Sequence, residues 1–204
     1  KRPDKVGEIY RTLDRIEKEQ REKIAAVFPP LNRYMTGYDL AHLRAPDGGL
    51  NVNSVLCGAE GTLAMIAEAE LNVLPLPGFA ALINIRYDDF NTALEDARNL
   101  AALKVASVET VDEKVLGLAK GDIIWAEIAP FFPDDPDVRA DGINIVEVLA
   151  DSGEELADKI EAVVTGLAAR PMSGRLGHTV AAGHAQVEAI WTMRKRAVGL
   201  LGNV

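Results

Sequence analysis

The sequence is poor in the residues that build metal and disulfide frameworks. It has one cysteine, Cys57, and three histidines. A single cysteine excludes an intrachain disulfide and any Cys-based zinc or iron–sulfur site within this stretch. Cys57 is expected to be a small buried apolar residue. No apolar run approaches the ~20 residues of a membrane helix, and no signal peptide is visible. Positive charge is also in deficit: 22 Lys and Arg face 31 Asp and Glu, a net charge of −9. That balance argues against nucleic acid as a partner, because phosphate neutralisation needs clustered cations. It equally disfavours wide contact with an anionic lipid surface. There is no initiating Met and no polar tail after the final helical pattern, so the chain is expected to be a piece of a longer protein.

What is present is the balance of an ordinary globular chain, with 48% hydrophobic and 26% charged residues in 204,. Residues 4–27 carry apolar side chains at helical spacing and stop at Pro29-Pro30,. Residues 51–57 read as a short strand. Residues 68–74 alternate, with Ala69, Leu71 and Val73 opposite Glu68, Glu70 and Asn72, as in a half-buried strand,. Pro75 and Pro77-Gly78 then mark the expected domain boundary, giving domains 1–77 and 78–204,. Beyond it, strands are expected at 79–87, 105–112, 122–130, 142–150 and 175–183. Helices are expected at 88–104, 113–121, 152–170 and 184–202, with Asp88 or Asp89 and Ser152 as caps,. This order fits an α+β fold, a mostly antiparallel ferredoxin-like sheet with helices on one face.

The stretch "VLCGAEGTLAMIAEAELNVLPLP" (55–77) carries the chemical interest. Gly58 and Gly61 bracket Ala59-Glu60, and Thr62 adds a hydroxyl. Glycine at two turn positions lets a ligand approach the backbone, and free N–H groups there can hold an anion. The spacing is neither a Rossmann fingerprint nor a P-loop. On the residues alone, a structural turn and a ligand loop both remain open. His178 and His184 lack a completing carboxylate, so no metal site is expected. The loop "FFPDDPDVRAD" (131–141) reads as solvated acid. Arg194, beside Lys195 and Arg196, reads either as a solvated helix charge or as a carboxylate fork.

The segment "RYMTGYDLAHL" (33–43) followed by "GAEGTLAMIAEAELNVLPLP" (58–77) resembles the second half of the FAD-binding domain of FAD-linked oxidases. These are the flavin-dependent D-lactate, glycolate and D-2-hydroxyglutarate dehydrogenases, within the vanillyl-alcohol-oxidase-like fold. The resemblance implies FAD contacts, many through main chain, at Thr36, Gly37, Tyr38, Gly58, Ala59, Glu60, Gly61, Thr62, Leu63 and Ile66. Ala59, Ala64 and Ala67 depart from the family's usual Ser, Gly and Thr. From Phe79 onward the chain is similar to the cap, or substrate, domain. There "IWTMRKRAVGLL" (190–201) matches a Trp-x-x-Arg element. The resemblance implies substrate-carboxylate binding by Arg194, core packing for Trp191, and a departure at Val198, where some members carry Thr.

The same resemblance implies an incomplete FAD site, with the pyrophosphate loop upstream of Lys1 and metal ligands downstream of Val204. Implied partners are the rest of the parent chain, a small D-2-hydroxy acid, and a quinone, electron-transfer protein or attached iron–sulfur domain as acceptor. The implied location is cytoplasmic or peripheral to the inner face of the membrane. The rival expectation is a non-catalytic ferredoxin-like ligand-binding or regulatory module.

Overall fold

The computed structural model describes residues 2–31, 37–133 and 138–201. The chain divides into two compact units, Lys1–Val73 and Leu74–Val204.

Among the described residues, the first unit holds two helices, α1 (Lys5–Val27) and α2 (Asn53–Cys57). Asp4 caps α1, its Oδ1 accepting the Gly7 N–H at 2.9 Å,. The apolar stripe of α1 does not close on a core: Val6, Ile9 and Val27 are exposed. A cavity of about 640 Å³ lies beside it, lined by Val6, Ile9 and Leu13 of α1 and by Val55, Leu56 and Leu63. Charge, instead, ties α1 to the following loop. Arg44 donates through Nη2 to Glu17 Oε2 at 2.9 Å and to Asp14, while Arg21 grips the other Glu17 oxygen at 2.9 Å. These guanidiniums, Arg21 first and then Arg44, hold the Glu17 carboxyl below the usual carboxylate range,.

Two strand expectations fail in this unit. Residues 53–57 form α2, because the Asn51 carbonyl accepts both the Ser54 N–H (3.3 Å) and the Ser54 hydroxyl (2.8 Å) and turns the chain,. The burial of adjacent Ser54 and Val55 is not the alternation of a strand,. Cys57, at the end of α2, is exposed rather than buried. Residues 64–77 carry no secondary structure, and among the described residues no strand pairs with them. The alternation at 68–74 is real in the sequence, but a half-buried strand needs a ladder partner and a face to lie on. Here both sets of side chains are exposed.

The second unit is α+β. Its sheet joins β1 (Phe79–Tyr87), β2 (Ser107–Asp112), β3 (Gly142–Ala150) and β4 (Arg175–Ala181) in the order β2-β3-β1-β4, every pairing antiparallel. That is the ferredoxin-like order. Helices cover both faces rather than one. On one side α3 (Phe90–Ala101) and α6 (Gly153–Ala169) bury Ile83, Ile85, Val146 and Val148. On the other, α4 (Glu113–Lys120), α5 (Trp125–Ile128) and α7 (His184–Leu201) bury Leu82, Ile143 and Ile145. The reason is in the central strands: residues 81–85 of β1 are all buried, a run apolar enough to need cover on both sides,.

The caps follow the sequence. Asp89 caps α3, and Ser152 caps α6 while Glu155 reaches back to the Asp151 N–H at 2.9 Å,. The expected strand at 122–130 is instead a turn and the short helix α5. Asp122 Oδ1 accepts the Ile124 N–H at 3.1 Å, and Ile124 and Ile128 share an inward face while Ile123 is exposed,.

Under α3 lies a buried polar network. The Asp96 carboxylate, 1% exposed, accepts from Tyr87 Oη (2.7 Å) and from Arg175 Nη2 (2.7 Å) and Nε (3.1 Å). Burial first, and then Asp96, push the Tyr87 hydroxyl far above its ordinary pKa, so it stays a neutral donor,.

Candidate functional site

In the first unit, the two segments singled out in the sequence touch. A Cβ built on Gly58 would lie 1.7 Å from the Gly37 carbonyl oxygen, so no side chain fits between the two backbones,. One turn further, Tyr38 Oη bonds Thr62 Oγ1 at 2.8 Å. The Thr62 hydroxyl donates to the Ala59 carbonyl at 2.6 Å, which makes Tyr38 the donor to Thr62,. The Thr62 hydroxyl is therefore engaged within the chain.

Between Gly58 and Thr62 the backbone is unusual. Glu60 (φ 48°) and Gly61 (φ 78°) are consecutive left-handed residues, and the Thr62 N–H bonds the Ala59 carbonyl at 2.9 Å. Two positive φ values inside a four-residue turn are the signature of type I′, which is strained at a non-glycine such as Glu60. The turn sits on Ala59, which is buried, and shows Glu60, Gly61 and Thr62 to solvent, with Leu63 and Ile66 exposed beyond it. Because the Ala59 side chain points inward, a hydroxyl at this position would not have lain on the exposed surface. Behind Gly37, Asp39 is buried and holds His42, with Oδ2 to Nδ1 at 2.7 Å. Thr36 lies outside the described residues, as does Arg33.

In the second unit, Arg194 stands on α7. Met193 and Ala197 of that helix are buried against the sheet, and Trp191 packs on the same cluster. Arg194 is not a solvated charge: its side chain is 38% exposed, and its Nε is paired with Glu109 Oε2 on β2. Arg196 is held separately by Asp122 at 2.8 Å. Val198 is exposed one turn after Arg194. His178 and His184 are exposed. Among the described residues no three His, Cys, Asp or Glu side chains converge as a metal site, and no helix is long and apolar enough to cross a membrane.

Residues 76–204 match the family model described as "FAD linked oxidases, C-terminal domain". The chain belongs to the FAD-linked oxidase family. It is similar to the D-2-hydroxyglutarate dehydrogenase of Pseudomonas putida, with 52% identity over 99% of this chain and 20% of that protein. The proteins of the same name from Escherichia coli (41% identity, 97% of this chain, 20% of the relative) and Haemophilus influenzae (39%, 96% and 19%) match over the same reach. The chain thus spans about a fifth of the length of the curated relatives it matches.

Of the residues picked from this family's motifs, the structure gathers Gly37, Tyr38, Gly58, Ala59, Glu60, Gly61 and Thr62 into one patch. Leu63 and Ile66 lead away from it along the exposed segment. Sequence reasoning did not find Glu109. Nothing local marks it, since its partner is 85 positions further along the chain and the two meet only because α7 lies over the sheet.

Proposed function

We propose that this chain is part of an FAD-dependent dehydrogenase that oxidises a D-2-hydroxy acid, with D-2-hydroxyglutarate as the substrate its relatives' names indicate. In this reading residues 1–77 are the second part of the FAD-binding domain and residues 78–204 the substrate, or cap, domain. The observation that carries it is the contact between the Gly37-Tyr38 segment and the Gly58–Thr62 turn, which leaves shaped backbone facing outward. Such a ridge suits a flat cofactor held by main chain, since no side chain at Gly58 or Gly61 stands in the way.

Bound FAD would supply the ring that takes the hydride from C2 of the substrate; that chemistry belongs to the cofactor. The share of this chain is positioning. Tyr38 and Thr62 lock the turn, the backbone of 58–62 would hold the cofactor, and Arg194 would offer a guanidinium to a substrate carboxylate. The remainder of the cofactor site and the onward electron path, through an iron–sulfur domain, a quinone or an electron-transfer protein, are assigned to the other parts of the parent protein.

The test is made on the full-length parent. It should purify yellow and reduce a dye acceptor only when D-2-hydroxyglutarate is added. A colourless protein that FAD cannot reconstitute would leave the non-catalytic module as the better reading. Arg194→Ala in that parent should raise KM for the hydroxy acid about tenfold or more, since a charge-assisted fork is lost. Unchanged kinetics would remove Arg194 from the site.

A further inference from the structure

One row of the sheet face beneath α7 carries polar side chains on three of its four strands. Register places Glu109 of β2 beside Ile145 of β3, Ile145 beside Asn84 of β1, and Asn84 beside Thr179 of β4, so the four side chains share one face,. Asn84 is fully buried, its Nδ2 3.4 Å from Thr179 Oγ1. Glu109, at the edge of that row, receives Arg194 from the helix above.

The atom that makes the contact matters. Glu109 Oε2 takes the Nε of Arg194. A guanidinium has five donors in a planar fork, and a partner on Nε leaves the pair of terminal Nη groups directed away along the arm. That end is the one that matches a planar carboxylate by two parallel hydrogen bonds. Without a partner on Nε, the four-bond arm of an arginine rotates freely and loses entropy only on binding. The contact itself contributes little to stability, because both side chains remain about one third exposed (38% and 32%) and exposed pairs are weak,.

We propose that Glu109 is a positioning residue for substrate recognition: it fixes the plane of Arg194 from the Nε side so that the terminal nitrogens meet a carboxylate of the 2-hydroxy acid. This rests on the reading of Arg194 as the carboxylate-binding residue. Glu109 does not touch substrate. It holds the arm through the ion pair that its carboxylate makes on the Nε side.

The experiment uses the full-length flavoprotein with D-2-hydroxyglutarate as the varied substrate. Glu109→Gln keeps the reach but not the charge that pairs with Nε, and KM should rise several-fold with kcat changed much less. Glu109→Asp keeps the charge but is one methylene short, and KM should rise roughly tenfold with kcat changed much less, as expected for a misplaced binding group. Glu109→Ala should resemble Asp. In an Arg194→Ala background the Asp substitution should add nothing further, because the residue through which it acts is gone.

The outcomes separate the two claims. If Arg194→Ala leaves KM unchanged, the substrate-binding reading of Arg194 fails and this proposal with it. If Arg194→Ala raises KM while Glu109→Asp does not, only the role of Glu109 is overturned. A Gln variant with the KM of the parent would also overturn it, since the charge that pairs with Nε would then be dispensable. A purely structural pair would lower Tm in all three variants and move neither KM nor its ratio to kcat.

Discussion

At Gly58 one hydrogen atom decides whether two backbones can meet. A methyl group there would have to displace the Gly37 carbonyl by more than an ångström. Gly58→Ala is therefore expected to open the contact between the two motif segments, at a cost on the order of 1–3 kcal/mol for overpacking. The readout is flavin content per mole of full-length protein, which should fall severalfold while the far-UV circular dichroism stays near that of the parent. Full retention of flavin would show that the contact is not needed for the cofactor. Glu60 poses the opposite case: its left-handed backbone is strained for an L-residue,. Glu60→Gly should keep the turn and relieve up to about 1 kcal/mol of strain, less the entropy that glycine adds to the unfolded chain. A large loss of flavin in that variant would assign the Glu60 side chain a direct part.

At the scale of elements, what could be read from the sequence depended on where the information lies. Helices α3, α4 and α6 and strands β1 and β3 announce themselves locally, through caps at Asp89 and Ser152 and through periodicity,. The region 122–130 misled because its nine residues, mostly apolar but with Asp122 and Glu127 among them, are too few to tell strand from helix by pattern, and Asp122 settles the matter through a hydrogen bond that only the fold displays,. The segment 68–74 has the pattern of a strand without a ladder to join, a property that no window on the sequence reports. The turn at 58–62 was legible because its shape is set by glycine and turn residues close together in the chain. The Glu109–Arg194 pair was not, because it joins an edge strand to a helix that packs over it only in the folded sheet. The Asp96 network is equally non-local, linking α3 to β1 and to β4. Asp96→Ala would leave the Arg175 guanidinium, only 11% exposed, without its carboxylate. Breaking a buried pair in this way costs about 3–5 kcal/mol, and a drop in Tm of the second unit's unfolding transition would register it.

For the molecule as a whole, acidity acts unevenly. Asp14 and Glu17 are held below their ordinary pKa, Asp14 by Lys18 and then Arg44, Glu17 by Arg21 and then Arg44. A carboxyl with a depressed folded-state pKa contributes stability that is complete above its unfolded value and is lost as pH falls through the folded one. The tie between α1 and the Arg44 loop should thus be intact at neutral pH and fail below about pH 4, the unfolded range of these acids. In Arg44→Ala the folded-state pKa of both groups rises, so helix loss on acid titration, followed by circular dichroism, should begin at a higher pH than in the parent sequence. Coincident titrations would mean the cluster is not coupled to the helix.

The unpaired run from residue 64 to 77 has one more consequence. Its backbone is committed to no ladder, and it carries bulky side chains in the open, with Met65 and Leu76 each 93% exposed. Proteases need a stretch of chain that can enter their cleft extended, and among the described residues the sheet unit beyond Gly78 has no run of that length without secondary structure,. Brief digestion of this chain alone by chymotrypsin, which prefers large apolar residues, should therefore nick it first within 64–77 and release the four-stranded unit as a resistant core. If full-length parent protein is cut elsewhere first while this run survives, the run has found its cover there.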